Sequence, residues 1–265
     1  SAAPSSPTVR QAPPSVPDPA TDPATPTTFA LPVTGAVHRF APPPAGHAYA
    51  DAVEFLGWSD TGARYAYALR RQPEGASCSE RWSLVVVDAA TDTFVPDVQR
   101  SVAHDSPEGG PQGCSPPSLE PGIEAAKAEA LSMAGIRVGQ VVTPTLVEAG
   151  ADGVLGVTLP TGARLDLRFS VTHATDELYA VMDSPGAAYA LSVQGPGGGP
   201  LVVEDGQRRR PMVMRYELAG LPLFVSPDGA HAALFVRTVL PAFEGTRASV
   251  MSNGLTVQPS WLEAR

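Results

Sequence analysis

The chain has 265 residues and a mass of 27.4 kDa; 43% of residues are hydrophobic, 17% are charged, and the formal net charge is -9. That is apolar material for one good-sized core or two small ones. No apolar run approaches the ~20 residues of a membrane-spanning helix, there is no collagen period or cysteine-dense scaffold, and a pI near 5.0 argues against a nucleic-acid partner, whose phosphates the chain would repel.

Residues 1–28 form a low-complexity stretch of Pro, Ala, Ser and Thr, with prolines at 4, 7, 13, 14, 17, 19, 23 and 26 and only Arg10, Asp18 and Asp22 charged. Such a segment buries too little apolar surface to offset its ordering entropy, roughly 1–2 kcal/mol per residue. It is expected to be a disordered tail of polyproline-II character, rising ~3.1 Å per residue. It would act as a tether or as a strap along a partner. The chain opens at Ser1 with no basic or apolar leader, which is expected of a removed signal peptide or of a trimmed boundary.

Residues 29–265 read as a single mostly-β domain. Apolar or alternating runs of strand length fall at 52–58, 63–69, 82–88, 140–147, 153–159, 164–171, 178–182, 187–193, 201–203, 212–218, 223–225, 231–239 and 248–251. Gly, Pro, Asp and Ser punctuate them at short intervals. The expectation is antiparallel sheets built from hairpins, arranged as a sandwich or a partial propeller. One helix is predicted at 123–134, with Ile123, Ala126, Ala130 and Leu131 on one side, Pro121-Gly122 before it and Gly135 as a stop. A Pro- and Gly-rich loop, 105–122, leads into it.

Cys78 and Cys114 are the only cysteines, and no second Cys or His stands near either at zinc spacing. Both lie in polar, turn-rich surroundings where a buried inert thiol is not expected. A disulfide is the preferred reading, ahead of two free thiols and of a metal role. The bridge would contribute roughly 3–4 kcal/mol in the chain-entropy view and would place the protein outside the reducing cytosol, in the periplasm or at the cell surface. Lys127 is the only lysine, and no function is drawn from it.

An internal echo links Trp58-Ser59-Asp60-Thr61-Gly62-Ala63 with Val225-Ser226-Pro227-Asp228-Gly229-Ala230; weaker copies start at Leu159 and Asp183. Each suggests a strand end, a turn with glycine in the left-handed position and a following strand. The copies keep no fixed blade period of ~40–45 residues, so a reused hairpin is preferred to a true propeller. At these residues, together with 84–94, 125–139 and 241–245, the chain resembles bacterial predicted secreted proteins of unassigned function. The likeness spans about 50–250 and departs between Leu69 and Trp82, where Cys78 and several charges replace an acidic Gly/Asp stretch. The resemblance implies secretion and a mostly-β fold and carries no catalytic residue.

Five histidines are spread along the chain without a metal-binding pair spacing. No G-x-S-x-G elbow is present, and Ser59 and Ser226 are expected to bond locally in turns. Glu54, Asp60, Asp88, Glu148, Asp152 and Asp166 offer carboxylates with nothing in the sequence to select a pair. The glycine-rich 195–200 lacks the Lys-Ser/Thr and helix of a phosphate loop and reads as a plain loop. Arg208, Arg209 and Arg210 form the one basic cluster, expected at a hairpin tip neutralised by Glu204 and Asp205. Together with Trp261, expected to be exposed near the C-terminus, they are the candidate partner contacts. No catalytic residue, cofactor or metal ligand is assigned. The function expected is a non-catalytic exported envelope protein, an accessory or structural subunit docking on a larger assembly through a protein partner. The alternative is a periplasmic ligand-binding module or hydrolase with a site built from strand-end loops. A flat apolar patch favours the first; a concave, acid-lined pocket favours the second.

Overall fold

The computed structural model describes residues 30–40, 46–71, 73–74, 78–104, 118–150, 154–178, 180–242 and 245–262. The predicted tail, 1–28, and Cys114 lie outside them. From the N-terminus run β1 (His38–Phe40), β2 (Tyr49–Ala50), β3 (Ala52–Trp58), β4 (Arg64–Arg71), β5 (Glu80–Asp88), β6 (Thr93–Phe94), β7 (Arg100–His104) and helix α1 (Glu120–Ala134). The second half holds β8 (Thr145–Leu146), β9 (Glu148–Ala149), β10 (Leu155–Thr158), β11 (Arg164–Thr172), β12 (Ala188–Gln194), β13 (Leu201–Asp205), β14 (Arg215–Glu217), β15 (Pro222–Val225), β16 (His231–Ala242), β17 (Gly245–Thr256) and a short α2 (Pro259–Leu262). Strand outweighs helix by 49% to 9%, so the fold is mostly β, as expected.

The strands make three sheets, ordered β1-β3-β4-β5-β6 with β7 also on β5, β13-β12-β11-β10-β9, and β2-β17-β16-β15-β8 with β14 on β16. Neighbours are antiparallel except β2, which runs parallel to β17. The third sheet is the middle layer. Along β16, Ala232, Leu234 and Val236 pack with Leu165, Leu191 and Val193 of the second sheet. Ala233 and Phe235 point the other way, onto Phe55, Tyr65 and Tyr67 of the first. A strand covered on both faces loses the polar half of its alternation, which is why 232–236 within β16 reads as one apolar run. The first sheet alternates in turn: Val53, Phe55, Tyr65 and Tyr67 face inward, while Leu56, Ala66, Ala68, Leu84 and Val86 face outward beneath α1.

The internal echo is real at atomic level. Ser59 N bonds Arg64 O (2.9 Å) and Ser226 N bonds His231 O (2.8 Å); in each turn the serine Oγ accepts the same later amide, Arg64 N or His231 N. The two turns also touch. Gly62, at φ +66°, has room for no side chain, because a Cβ there would lie 2.5 Å from the Asp228 carboxylate. The copy at Leu159 is one residue tighter, closing on Ala163, and the one at Asp183 is not a hairpin, since turns and not a strand precede β12.

Several expectations are corrected. Helix α1 starts at Glu120, not 123, because Pro121 sits in the first turn, where its missing N–H removes no bond. Run 140–147 is mostly not strand: Val142 bridges Val33 and only β8 pairs, with Pro144 unable to donate to a ladder. In the run predicted at 178–182, the described residues, 178 and 180–182, lie in turns; Leu178 and Val181 join a small cluster with Met214 and Val239. Strands β1, β2, β6, β7 and β9 were not foreseen. Among the described residues no helix is long and apolar enough to cross a membrane.

Candidate functional site

Helix α1 packs across β7 and β5 and, with them, buries Leu56, Ala66 and Ala68, while the outer face toward Arg39 and Ala52 stays open beside it. A groove of about 630 Å³ opens there. Ala52, Ala68, Trp82 and Ile123 are among its apolar lining. Period-two alternation puts Arg39, Glu54 and Arg70 on this outer face, since Arg39 is opposite Glu54 and Ala52 is opposite Arg70.

The charges fall into two groups. Glu54, 19% exposed, takes Arg39 on one oxygen (2.8 Å) and Lys127 on the other (3.1 Å). Arg70 donates to Glu80 (2.6 Å) and to Glu120 (2.8 Å); the bond to Glu80 first, then the one to Glu120, push its guanidinium above the ordinary arginine value against the opposing effect of burial. Glu124, on the helix wall between Glu120 and Lys127, has no ion-pair partner among the described residues. The only lysine of the chain therefore stands in the groove.

A second cleft, about 390 Å³, lies over β17 between the β5–β6 turn and the segment after β13, lined by Asp92, Phe94, Arg208, Arg210 and Met251 among others. Asp92 sits on an exposed turn at φ 50°, but its carboxylate reaches onto the middle sheet and accepts Gly254 N (2.6 Å) and Asn253 Nδ2 (3.3 Å). Burial pushes its carboxyl up, the two hydrogen bonds opposing. Asn253 Oδ1 in turn accepts Tyr189 Oη (2.7 Å), so one polar chain ties all three sheets.

The predicted contact residues separate. Gly206 to Val213 joins the second sheet to the third and is not a hairpin tip, because β13 pairs with β12 and β14 with β16. Arg210 is neutralised by Glu204 (2.8 Å), as expected, and lies over the Tyr189 ring at 5.2 Å. Asp205 instead accepts Gln207 N. Arg209 Nε is buried without a hydrogen-bond partner, and Arg208 alone faces outward, beside Phe94, which is 65% exposed. Trp261 is not an exposed contact: it is wholly buried in the core between the second and third sheets. The glycine-rich 195–200 is the loop that admits its ring, for a Cβ on Gly195 would lie 2.4 Å from Trp261 Cδ1. Cys78 is buried, 3% exposed; Cys114, the other half of the expected bridge, lies outside the described residues.

The serines behave as turn residues. Ser226 Oγ donates to Asp228 (2.5 Å) and accepts His231 N, and Ser59 Oγ accepts Arg64 N (3.1 Å). Among the described residues no group of His, Cys, Asp or Glu is placed to hold a metal ion. No family model, no curated protein and no solved structure matches the chain. The groove was missed because Glu54 stood among six equivalent carboxylates in the sequence, and its partners, Arg39 and Lys127, come from strand and helix 15 and 73 residues away.

Proposed function

We propose that the chain is an exported, non-catalytic binding module that seats its ligand in the groove between α1 and the first sheet. The observation that supports this is a concave seat of about 630 Å³ whose cations Arg39, Arg70 and Lys127 are each held by a carboxylate. Charges of both signs in one concave seat recognise a charged ligand. The described lining holds no serine, cysteine or histidine to attack it. Concavity favours this reading over an accessory subunit docking on a flat apolar face. The proline-rich 1–28 supports the docking reading only as a tether or strap.

Export is supported by the resemblance, and among the described residues no cysteine is free. Non-reducing peptide mapping checks it: a Cys78–Cys114 bridge is expected, and two alkylatable cysteines overturn it. The binding role is tested by native mass spectrometry of the chain after incubation with a small-molecule and peptide extract of its source envelope. A ligand retained by the wild type and lost from Ala52→Trp, released unchanged, is expected. Equal retention by both proteins, or release of a cleaved product, overturns the reading.

A further inference from the structure

We infer that the groove's ligand is a short peptide with both termini free, about three residues long. The inference rests on the groove being the binding seat and adds the chemistry of what it takes. The two charge groups are of opposite sign. At one end Arg39 and Lys127 flank a single carboxylate, Glu54, leaving one excess positive charge. At the other end Glu80 and Glu120 flank a single guanidinium, Arg70, leaving one excess negative charge; Glu124 stands on the helix wall between the two ends.

The spacing follows from the helix. Glu120 and Lys127 are seven positions apart on α1, so the ends of the wall are separated by about 10 Å at 1.5 Å per residue. An extended chain of three residues spans the same ~10 Å. A zwitterion of that length sets its carboxylate at Arg39 and Lys127 and its ammonium at Glu120, with its backbone over Ala52.

The resident ion pairs do not block this. Arg39 is 78% exposed and Glu120 54%, and pairs so open to water contribute little and exchange readily. Glu54 and Lys127, each 19% exposed, stay as the fixed part of the seat. A singly charged ligand satisfies one end and leaves the other uncompensated. A ligand much longer than three residues with free ends cannot bring both charges to their partners.

The test is isothermal titration of the full chain with tri-alanine, its N-acetyl and C-amide derivatives, and di-alanine. Tri-alanine is expected to bind at least ~10-fold more tightly than each of the other three, the fold-change of about one lost charge contact. Arg39→Ala is expected to remove the discrimination against the amide, and Glu120→Gln that against the acetyl form; both side chains are exposed, so folding is kept. Equal affinity of free and capped peptides, or no heat from tri-alanine while the envelope ligand still binds, overturns the peptide assignment and leaves the groove as the seat. Tri-alanine binding unchanged in Ala52→Trp overturns the groove itself.

Discussion

Truncating Trp261 to alanine separates the two placements of this residue. Its side chain is wholly buried among Leu, Val and Tyr side chains of the second and third sheets, so removal deletes transfer free energy and leaves a cavity, together about 3–5 kcal/mol. For a fold of this size each kcal/mol lowers Tm by roughly 2–4 °C, giving a drop of about 6–20 °C. An exposed contact, the reading from sequence, predicts a change within ~0.5 kcal/mol. A second substitution sharpens the test. Gly195→Ala places a methyl 2.4 Å from the indole, and overpacking of that kind costs about 1–3 kcal/mol. With the indole gone the methyl has space, so in Trp261→Ala the same substitution is expected to cost far less, a coupling that a double-mutant cycle reads directly. Urea unfolding followed by far-ultraviolet circular dichroism supplies all four values. A Trp261→Ala change within ~0.5 kcal/mol, or a Gly195→Ala cost equal in both backgrounds, refutes the packing argument.

Arg247 and Asp51, 1% and 4% exposed and 2.5 Å apart, pin β2 to β17; Asp51→Ala is expected to destabilise by about 3–5 kcal/mol, and more than Glu74→Ala, whose carboxylate is 25% exposed, as checked by urea midpoints. For pH dependence, burial would raise the Glu217 carboxyl, but the hydrogen bond from Arg215 and the charge of Arg237 hold it below its ordinary value. Its stabilisation is therefore full above the unfolded carboxyl range and lost as pH falls through the lower folded value, so Glu217→Gln is expected to flatten the acid limb of the stability curve. Asp92 has the opposite sign: its folded carboxyl is raised, the folded state gains as pH falls through that value, and Asp92→Asn is expected to remove this counter-slope in the same titration. Burial pushes Tyr67 up to about 12, so in an alkaline absorbance titration its phenolate is expected only there or on unfolding; ionisation near ~10 would place it at the surface.

What the sequence made legible follows from period. Where one face is core and the other is solvent or helix, as at 64–71, the alternation shows and the strand is found within two residues at either end. Where both faces are core, as at 232–236, the run is still strand-like because Ala, Phe and Val there have no polar alternative. The failures are tertiary. Leu178 and Val181 look like a strand's apolar pair but serve a turn packed on Met214. Strand β7, Arg-Ser-Val-Ala-His, carries a single large apolar side chain, Val102, and exists because β5 offers it a ladder. Trp261 was misplaced because polar neighbours in sequence say nothing about a glycine loop 66 residues earlier that opens to receive it.

The same logic explains why the groove is dictated by the core and yet invisible in the chain. Glu54 reaches the outer face only because Val53 and Phe55 on either side of it are inward, and Phe55 is fixed there by its stack on Phe224, with ring centroids 3.9 Å apart. A slip of one residue in β3 would turn Glu54 into the aromatic core and Phe55 into the groove. The desolvation of an unpaired carboxylate among those rings and the loss of their stacking therefore act together to hold the register. Arg39 obeys the same constraint through β1, where His38 and Phe40 pack against Phe224 and Phe235 at 5.4 and 5.1 Å. Both sheet-side partners of the positive end are thus placed by residues that never touch it, and Lys127 completes it from a helix whose own position is set by Ile123, Ala130 and Leu131. A groove assembled in this way carries no motif; its specification is the hydrophobic alternation of the layers behind it.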